Sequence, residues 1–385
     1  MVIYMDLSRS IDFLLENAGP VIQYRLRKEI LCSITKIEEE NLLEQIYQTP
    51  YFKLVESYAK PNGFIGEGIH GYTNWRGVKF HETPFQDGES AAKLLVYYAA
   101  PKNHPLITGL ISAYRNNNIL NEEYQKRPPA EFRLFQNRNV GLSQGGGLNT
   151  LLYTLQAMLG YGDDGYIDHF QEISLDAFAA MLQISNIEEI TEDKLKKKGN
   201  YYYHYVTPDK YMPCCYHLAT LAYTKTWRAP ANIKLFANAV NHINNDLVNE
   251  TEGILVKMGS SYQGPFGAMI RPHPHFTVDS VNGVVMHRRL LTEMAMTSAG
   301  KQIDILRQSA DNIEEALHID GILRLNYESN AQKNALTGGK YRAVGGYGEV
   351  FLEPDYKKKT AYDCDLTFWA VQFLSLVNKD IHLSK

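Results

Sequence analysis

Cysteine is scarce: the 385 residues hold 4, Cys32, Cys214, Cys215 and Cys364. The adjacent pair cannot bridge to itself without strain, so a disulfide scaffold is excluded. An excess of one charge is missing too. Lys+Arg number 39 against 43 for Asp+Glu, a formal net charge of -4, and the basic runs end at the short "KLKKK" (194–198) and "YKKK" (356–359). A nucleic-acid partner is not expected, because neutralising phosphates takes a basic face. No apolar run approaches the roughly 18 residues of a membrane span. The start "MVIYMDLSRSIDFLLENAG" lacks a basic region followed by an unbroken apolar core, so no membrane span is expected and the location is expected to be cytoplasmic. Strand-like alternation is also scarce. What is abundant is tyrosine, 26 residues, whose apolar ring and polar tip suit either a concave binding surface or a helix interface.

Apolar residues recur at helical spacing, which points to an all-α fold. Six strongly apolar segments start near residues 20, 88, 146, 214, 279 and 362: "GPVIQYRLRKEIL", "GESAAKLLVYYAA", "GGLNTLLYTLQAMLGY", "CCYHLATLAY", "DSVNGVVMHRRLLTEMAM" and "YDCDLTFWAVQFLSLV". Five are followed by a more amphipathic partner, such as "PLITGLISAYR" or "ANIKLFANAVNHINN", and the N-terminal "LSRSIDFLLENA" stands in as the sixth. Asn62-Gly63-Phe64, Glu252-Gly253-Ile254 and Asp320-Gly321-Ile322 recur after amphipathic segments and read as helix-ending turns. Apolar inner helices with one-sided outer partners predict an (α/α)6 toroid: a single domain over 1–385 with six inner and about six outer helices.

The segments "GPVIQYRLRKEIL", "GYGDD", "MPCCYHLATLAYTKTWR" and "YDCDLTFWAVQFL" resemble bacterial members of the terpenoid cyclase and protein prenyltransferase-like α-toroid superfamily. The resemblance implies an enzyme that holds a hydrophobic, isoprenoid-like substrate and works by acid chemistry at the heads of the inner helices. Those heads favour carboxylates because their N–H groups are free. Asp87, Asp279, Asp363 and Asp365 are the candidate acids or electrostatic stabilisers, and His81, His217 and His275 the candidate proton carriers. Tyr72, Trp75, Tyr216 and Trp369 are candidates for cation–π contact with a carbocation, and Arg76 and Asn149 complete the substrate-facing set. Asp363-Cys364-Asp365 invites comparison with the Asp-x-Asp-Asp acid of class II cyclases.

In prenyltransferase β subunits an Asp-x-Cys at the head of one inner helix and a histidine of a later one hold a catalytic zinc. The resemblance implies Cys215, His217 and His275 as ligands here, with Asp279 as an alternative to His275. Zinc accepts such donors. The residues themselves admit two other readings: a buried helix start, since Cys214, Leu218, Leu221 and Ala222 share one stripe, or a nucleophilic Cys–His pair. "GDDGYID" (Asp163, Asp164, Asp168) reads as a turn and cap, and "LSQGGGLN" as a tight approach to a helix. His273 and His275 alternate around Pro274 and suit either a site or the surface. Two alternatives to an isoprenoid enzyme stay open. An (α/α)6 glycoside hydrolase or lyase would use paired carboxylates on a sugar-like substrate, and a non-catalytic ring would bind a ligand or partner.

Overall fold

The computed structural model describes residues 7–69, 85–127, 129–192, 195–198, 201–207, 210, 212–247, 252–258, 261–263, 278–326, 350–355 and 357–378. The chain is predominantly helical, as the apolar spacing predicts. In order the helices are α1 (Ser8–Asn17), α2 (Pro20–Arg25), α3 (Lys36–Tyr47), α4 (Pro50–Ser57), α5 (Gly88–Tyr97), α6 (Pro105–Arg115), α7 (Asn117–Gln125) and α8 (Pro129–Gln136). There follow α9 (Leu148–Gln156), α10 (Asp168–Met181), α11 (Cys215–Tyr223), α12 (Pro230–His242), α13 (Val281–Met286), α14 (Arg288–Met294), α15 (Asp304–Leu317) and α16 (Ala361–Val377). Local chemistry sets many of the starts. Pro20, Pro50, Pro105 and Pro230 occupy first helical positions, where a missing N–H costs nothing. Thr35 and Glu38 form a reciprocal capping box at α3.

The described residues group into two compact units, one drawn from 1–126, 284–286 and 309–385, the other from 127–283 and 287–308. In the first, α16 packs on α1 and on α2, and α2 packs on α3. The Arg25 guanidinium lies 5.2 Å from the Phe368 ring centroid and donates to the Tyr97 carbonyl at 3.4 Å, so α16, α2 and α5 meet around it. In the second unit α11 packs on α9 and α14, while α10 packs on α11 and α12. Apolar helices thus neighbour apolar helices, and the amphipathic α10 neighbours the next apolar helix, α11, and the next amphipathic one, α12. α16 shows why: of its residues, all from Leu366 to Val371 are buried, so it has no face left for solvent.

The second unit also carries a small sheet that helical spacing did not predict. Its order is β1 (Lys196–Lys198), β2 (Tyr201–Val206), β3 (Glu252–Met258), β4 (Ser261–Gln263). β2 and β3 run parallel, with Tyr203 opposite Gly253, and the two outer pairs are antiparallel. "YYYHYV" is a run of residues with high strand propensity, so the signal was compositional rather than periodic. One expected turn is corrected by this sheet: Glu252-Gly253-Ile254 is extended and paired in β3. The other two are turns of one design. Gly63 and Gly321 have φ of 84° and 79°. In each the preceding side chain accepts the N–H of the following residue at 3.1 Å, Phe64 to Asn62 and Ile322 to Asp320.

A repeated backbone feature closes several of the apolar helices. α2, α9 and α14 each continue into a five-residue π-helical turn. Left-handed residues follow or occupy these ends: Cys32 (φ 49°) after α2, Ala99 (φ 52°) after α5, Gly160 (φ 84°) after α9 and Ser298 (φ 69°) after α14. A side chain costs about 1–2 kcal/mol in this region, and glycine regains most of it. Ala99→Gly and Cys32→Gly are each expected to stabilise the protein by up to about 1 kcal/mol. A urea midpoint that does not rise in either variant would count against this reading.

Candidate functional site

In the first unit, buried polar groups occur at the N-terminus of α2, near the start of α16 and at the C-terminus of α5. Val350, Phe351 and Leu352 are buried, and they carry Glu353 inward with them to 1% exposure. Its carboxyl accepts the N–H of Gly19, the residue that caps α2. Burial pushes this carboxyl above the usual glutamate range, against the opposing pull of the Gly19 bond and of Lys358, so it holds its proton to higher pH than a surface glutamate. Asp365, one residue away through Leu352, accepts that residue's N–H at 2.7 Å. Tyr98 follows α5 and is 0% exposed. Its hydroxyl has no hydrogen-bond partner among the described residues. Its acidity is suppressed first by burial and then by the charges of Tyr51, Asp365 and Glu353. Cys364, in the same helix turn as Asp365, has its thiol pushed up to about 12, chiefly by burial and also by Glu353.

A second polar group lies at the start of α5. Asp87 caps the helix, accepting the Ser90 N–H at 2.8 Å and the Ser90 hydroxyl at 3.1 Å. One turn on, Lys93 pairs with Glu89 at 2.8 Å, and both are buried. The Tyr114 hydroxyl is buried without a described partner, and its acidity is suppressed by burial, Tyr124, Asp87 and Glu89. Asp363 sits half-buried at 3.5 Å from Arg324, and burial raises its carboxyl while Arg324 opposes. Trp369 is buried in α16, stacked on Phe373 at 5.5 Å.

The "CCYH" segment of the second unit resolves into a helix start. Cys214 is the N-cap of α11, and His217 is its third helical residue. The Cys214 sulfur faces the backbone N–H groups of Tyr216 and His217, and the imidazole returns to the Cys214 backbone. His217 Nδ1 accepts the Cys214 N–H at 3.2 Å. Nε2 therefore carries the ring proton and donates it to the Leu142 carbonyl at 2.9 Å. Burial drives the His217 pKa down to about 4 and the Cys214 thiol up to about 11. This is a capping box built from cysteine and histidine in place of serine and glutamate.

The zinc expectation is corrected by this geometry. A metal needs an imidazole lone pair, and both His217 nitrogens are committed to the backbone. Cys215 is buried, His275 lies outside the described residues, and no group of three metal-binding side chains occurs among the described residues. Tyr216 is also buried, its carbonyl accepting the Thr154 and Thr220 hydroxyls at 3.1 and 2.8 Å. Asn149 donates to Asn139 at 2.6 Å and to the Tyr153 hydroxyl at 3.3 Å. Asp279 is exposed and accepts from Gln308 at 2.9 Å. Asp163 behaves as the expected cap, accepting the N–H groups of Lys225 and Thr226 at 2.7 and 3.0 Å. Tyr72, Trp75, Arg76 and His81 lie outside the described residues.

The structure thus ties Asp365 to the backbone of Leu352, the residue before Glu353, and buries Glu353, which spacing did not single out. The available signal for Glu353 was the apolar triplet before it, which had to be buried and would take the next side chain along. The sequence matches no protein-family model, no curated protein and no solved structure.

Proposed function

We propose that the chain is an enzyme on an (α/α)6 toroid, similar in plan to terpenoid cyclases and prenyltransferase β subunits. It would take a hydrophobic, isoprenoid-like substrate and act on it by proton donation. Support for the ring comes from three inner helices in each unit and from the packing of the last inner helix, α16, on the first, α2. The observation that carries the chemistry is Glu353, a buried carboxyl whose hold on its proton is strengthened by burial. Acid attack on an alkene requires such a group, because an ionised carboxylate has no proton to give. Glu353 transfers its proton to an alkene carbon, and the cation later loses one to restore the acid. Asp365, held by the Leu352 N–H, is the second carboxyl of the proposed site.

The full chain incubated with squalene and with geranylgeranyl diphosphate should yield cyclised products by mass spectrometry. Glu353→Gln, which keeps the Gly19 contact, is expected to lower turnover about 100-fold or more. Equal turnover in the variant would remove Glu353 from the chemistry, and no product from either substrate would remove the isoprenoid reading. A second reading, a sugar-like substrate, is favoured by one feature. An open depression of about 790 Å³ in the first unit is lined by side-chain amides, carboxylates and a threonine as well as prolines.

A further inference from the structure

The backbone alone does not explain why residue 19 is glycine. Its φ of -78° and ψ of 177° are extended values open to any residue, and a following proline favours the same region. Gly19 stands at the cap of α2, where the side chain of Ser, Thr, Asp or Asn commonly bonds a free N–H. The reason for glycine is Glu353. A Cβ at position 19 would lie 3.0 Å from Glu353 Oε2, 3.3 Å from Oε1 and 3.1 Å from Pro354 Cδ, so a methyl group there would push the carboxyl back.

The segment that carries Glu353 is held on both sides. Before it, the Leu352 N–H donates to Asp365 at 2.7 Å. After it, Lys358 Nζ donates to the carbonyl of Asn17, the last residue of α1. Between these ties the Gly19 N–H donates to Glu353 Oε1, and among the described residues no group donates to Oε2. The two oxygens are therefore inequivalent. A neutral carboxyl has one proton, and an N–H bonds best to its carbonyl oxygen, so the proton resides on Oε2. When that proton leaves, its bonding electrons remain on the carboxylate. An N–H bond to a charged oxygen is stronger than one to a neutral oxygen, and this N–H is already in place where the charge develops.

We propose that Gly19 is the positioning residue of the acid: its N–H holds Oε1, leaves the transferable proton on Oε2 and takes up the negative charge once that proton has gone to the substrate. The proposal rests on the reading of Glu353 as a proton donor, and its first test needs no turnover. Lys358 and Asp355 act on the charge of Glu353, and Cys364 and Tyr98 are acted on by it. A titration of the carboxyl alone would not separate these influences, so the Gly19 amide is the reporter.

The full chain, isotopically labelled at glycine nitrogen and at the glutamate carboxyl carbon, is titrated by NMR. Glu353 is assigned by its loss in Glu353→Gln, and Gly19 by its loss in Gly19→Ala or through the Ala18 carbonyl. The Gly19 amide proton should move downfield with the same midpoint as the Glu353 carboxyl and stay constant in Glu353→Gln. The angles at position 19 suit alanine, so Gly19→Ala is expected to fold with a weakened bond. That bond lowers the Glu353 midpoint, so the midpoint should rise by about one unit in Gly19→Ala. Isoprenoid turnover should then fall about tenfold at unchanged KM, a split that loss of packing would not produce. A Gly19 amide that does not follow Glu353, or a Glu353 midpoint that stays or falls in Gly19→Ala, overturns the proposal. Matching titrations without product from either isoprenoid would uphold the Gly19 bond and overturn only the substrate reading.

Discussion

Gly145→Ala is expected to be among the most damaging single substitutions in the chain, at about 2–5 kcal/mol. Two penalties combine. Gly145 has φ of 69°, where a side chain strains the backbone by about 1–2 kcal/mol. An added Cβ would also overlap the Cys214 sulfur and approach the Cys214 Cβ to 2.9 Å, and overpacking of a rigid buried site costs a further 1–3 kcal/mol or so. Cys214 cannot retreat, because it caps α11 and its backbone N–H is held by His217. Gly165→Ala is the control. Its φ is 88°, yet an added Cβ meets only Asp168 Oδ2 at 4.0 Å, so it should show the backbone penalty alone, about 1–2 kcal/mol. The check is the urea midpoint of both variants at pH 7. Equal losses would mean that Gly145 is required only for its backbone angle and that the contact with Cys214 is not tight.

The second large effect is a loss of stability in mild acid that originates at His217. Its folded pKa is about 4, lowered by burial from an ordinary value of 6.5. The unfolded chain therefore binds a proton between those values that the folded chain refuses. Stability is full above pH 6.5 and falls as the pH drops toward 4. At about 1.4 kcal/mol per pH unit, the fall between pH 7 and pH 5 should be about 2 kcal/mol. His242 opposes it: its pKa is raised by the Ile184 carbonyl and by Asp246, although its own desolvation lowers it. Its stabilisation is present at low pH and lost as pH rises, so the measurement is cleaner in a His242→Gln background. His217→Gln is expected to be less stable at pH 7, since the Leu142 carbonyl and Cys214 N–H lose a fitted partner, but to lose much less between pH 7 and pH 5. If the wild type and His217→Gln lose equal stability over that range, the acid sensitivity arises elsewhere.

Helix placement was legible because it depends on periodicity. The segment "PLITGLISAYR" is the helix Pro105–Arg115 residue for residue, since proline fixes its start and its apolar stripe continues to the end. "GDDGYID" was legible as a turn for a similar reason: a short carboxylate there bonds to nearby backbone. The sheet was not, because β2 is six residues long and pairs in parallel with a strand almost fifty residues further on, a contact that no local pattern encodes. Of the expected site, Asp363 and Asp365 were found as candidates, but the chemistry of "CCYH" was not. Cysteine and histidine two or three positions apart look alike whether they face a metal or a backbone, and only the position of the Leu142 carbonyl decides between them.

The amino-acid sequence by itself determined a helical protein of paired apolar and amphipathic segments, without a disulfide framework or a basic face, because composition and the 3.6-residue period act over a few turns of chain. The tertiary structure decided which polar groups meet. Glu353 and Gly19 are 334 residues apart, and His217 and Leu142 are 75 apart. Burial and a distant partner determine whether a carboxyl keeps its proton or an imidazole remains neutral, and both exist only once the helices have packed.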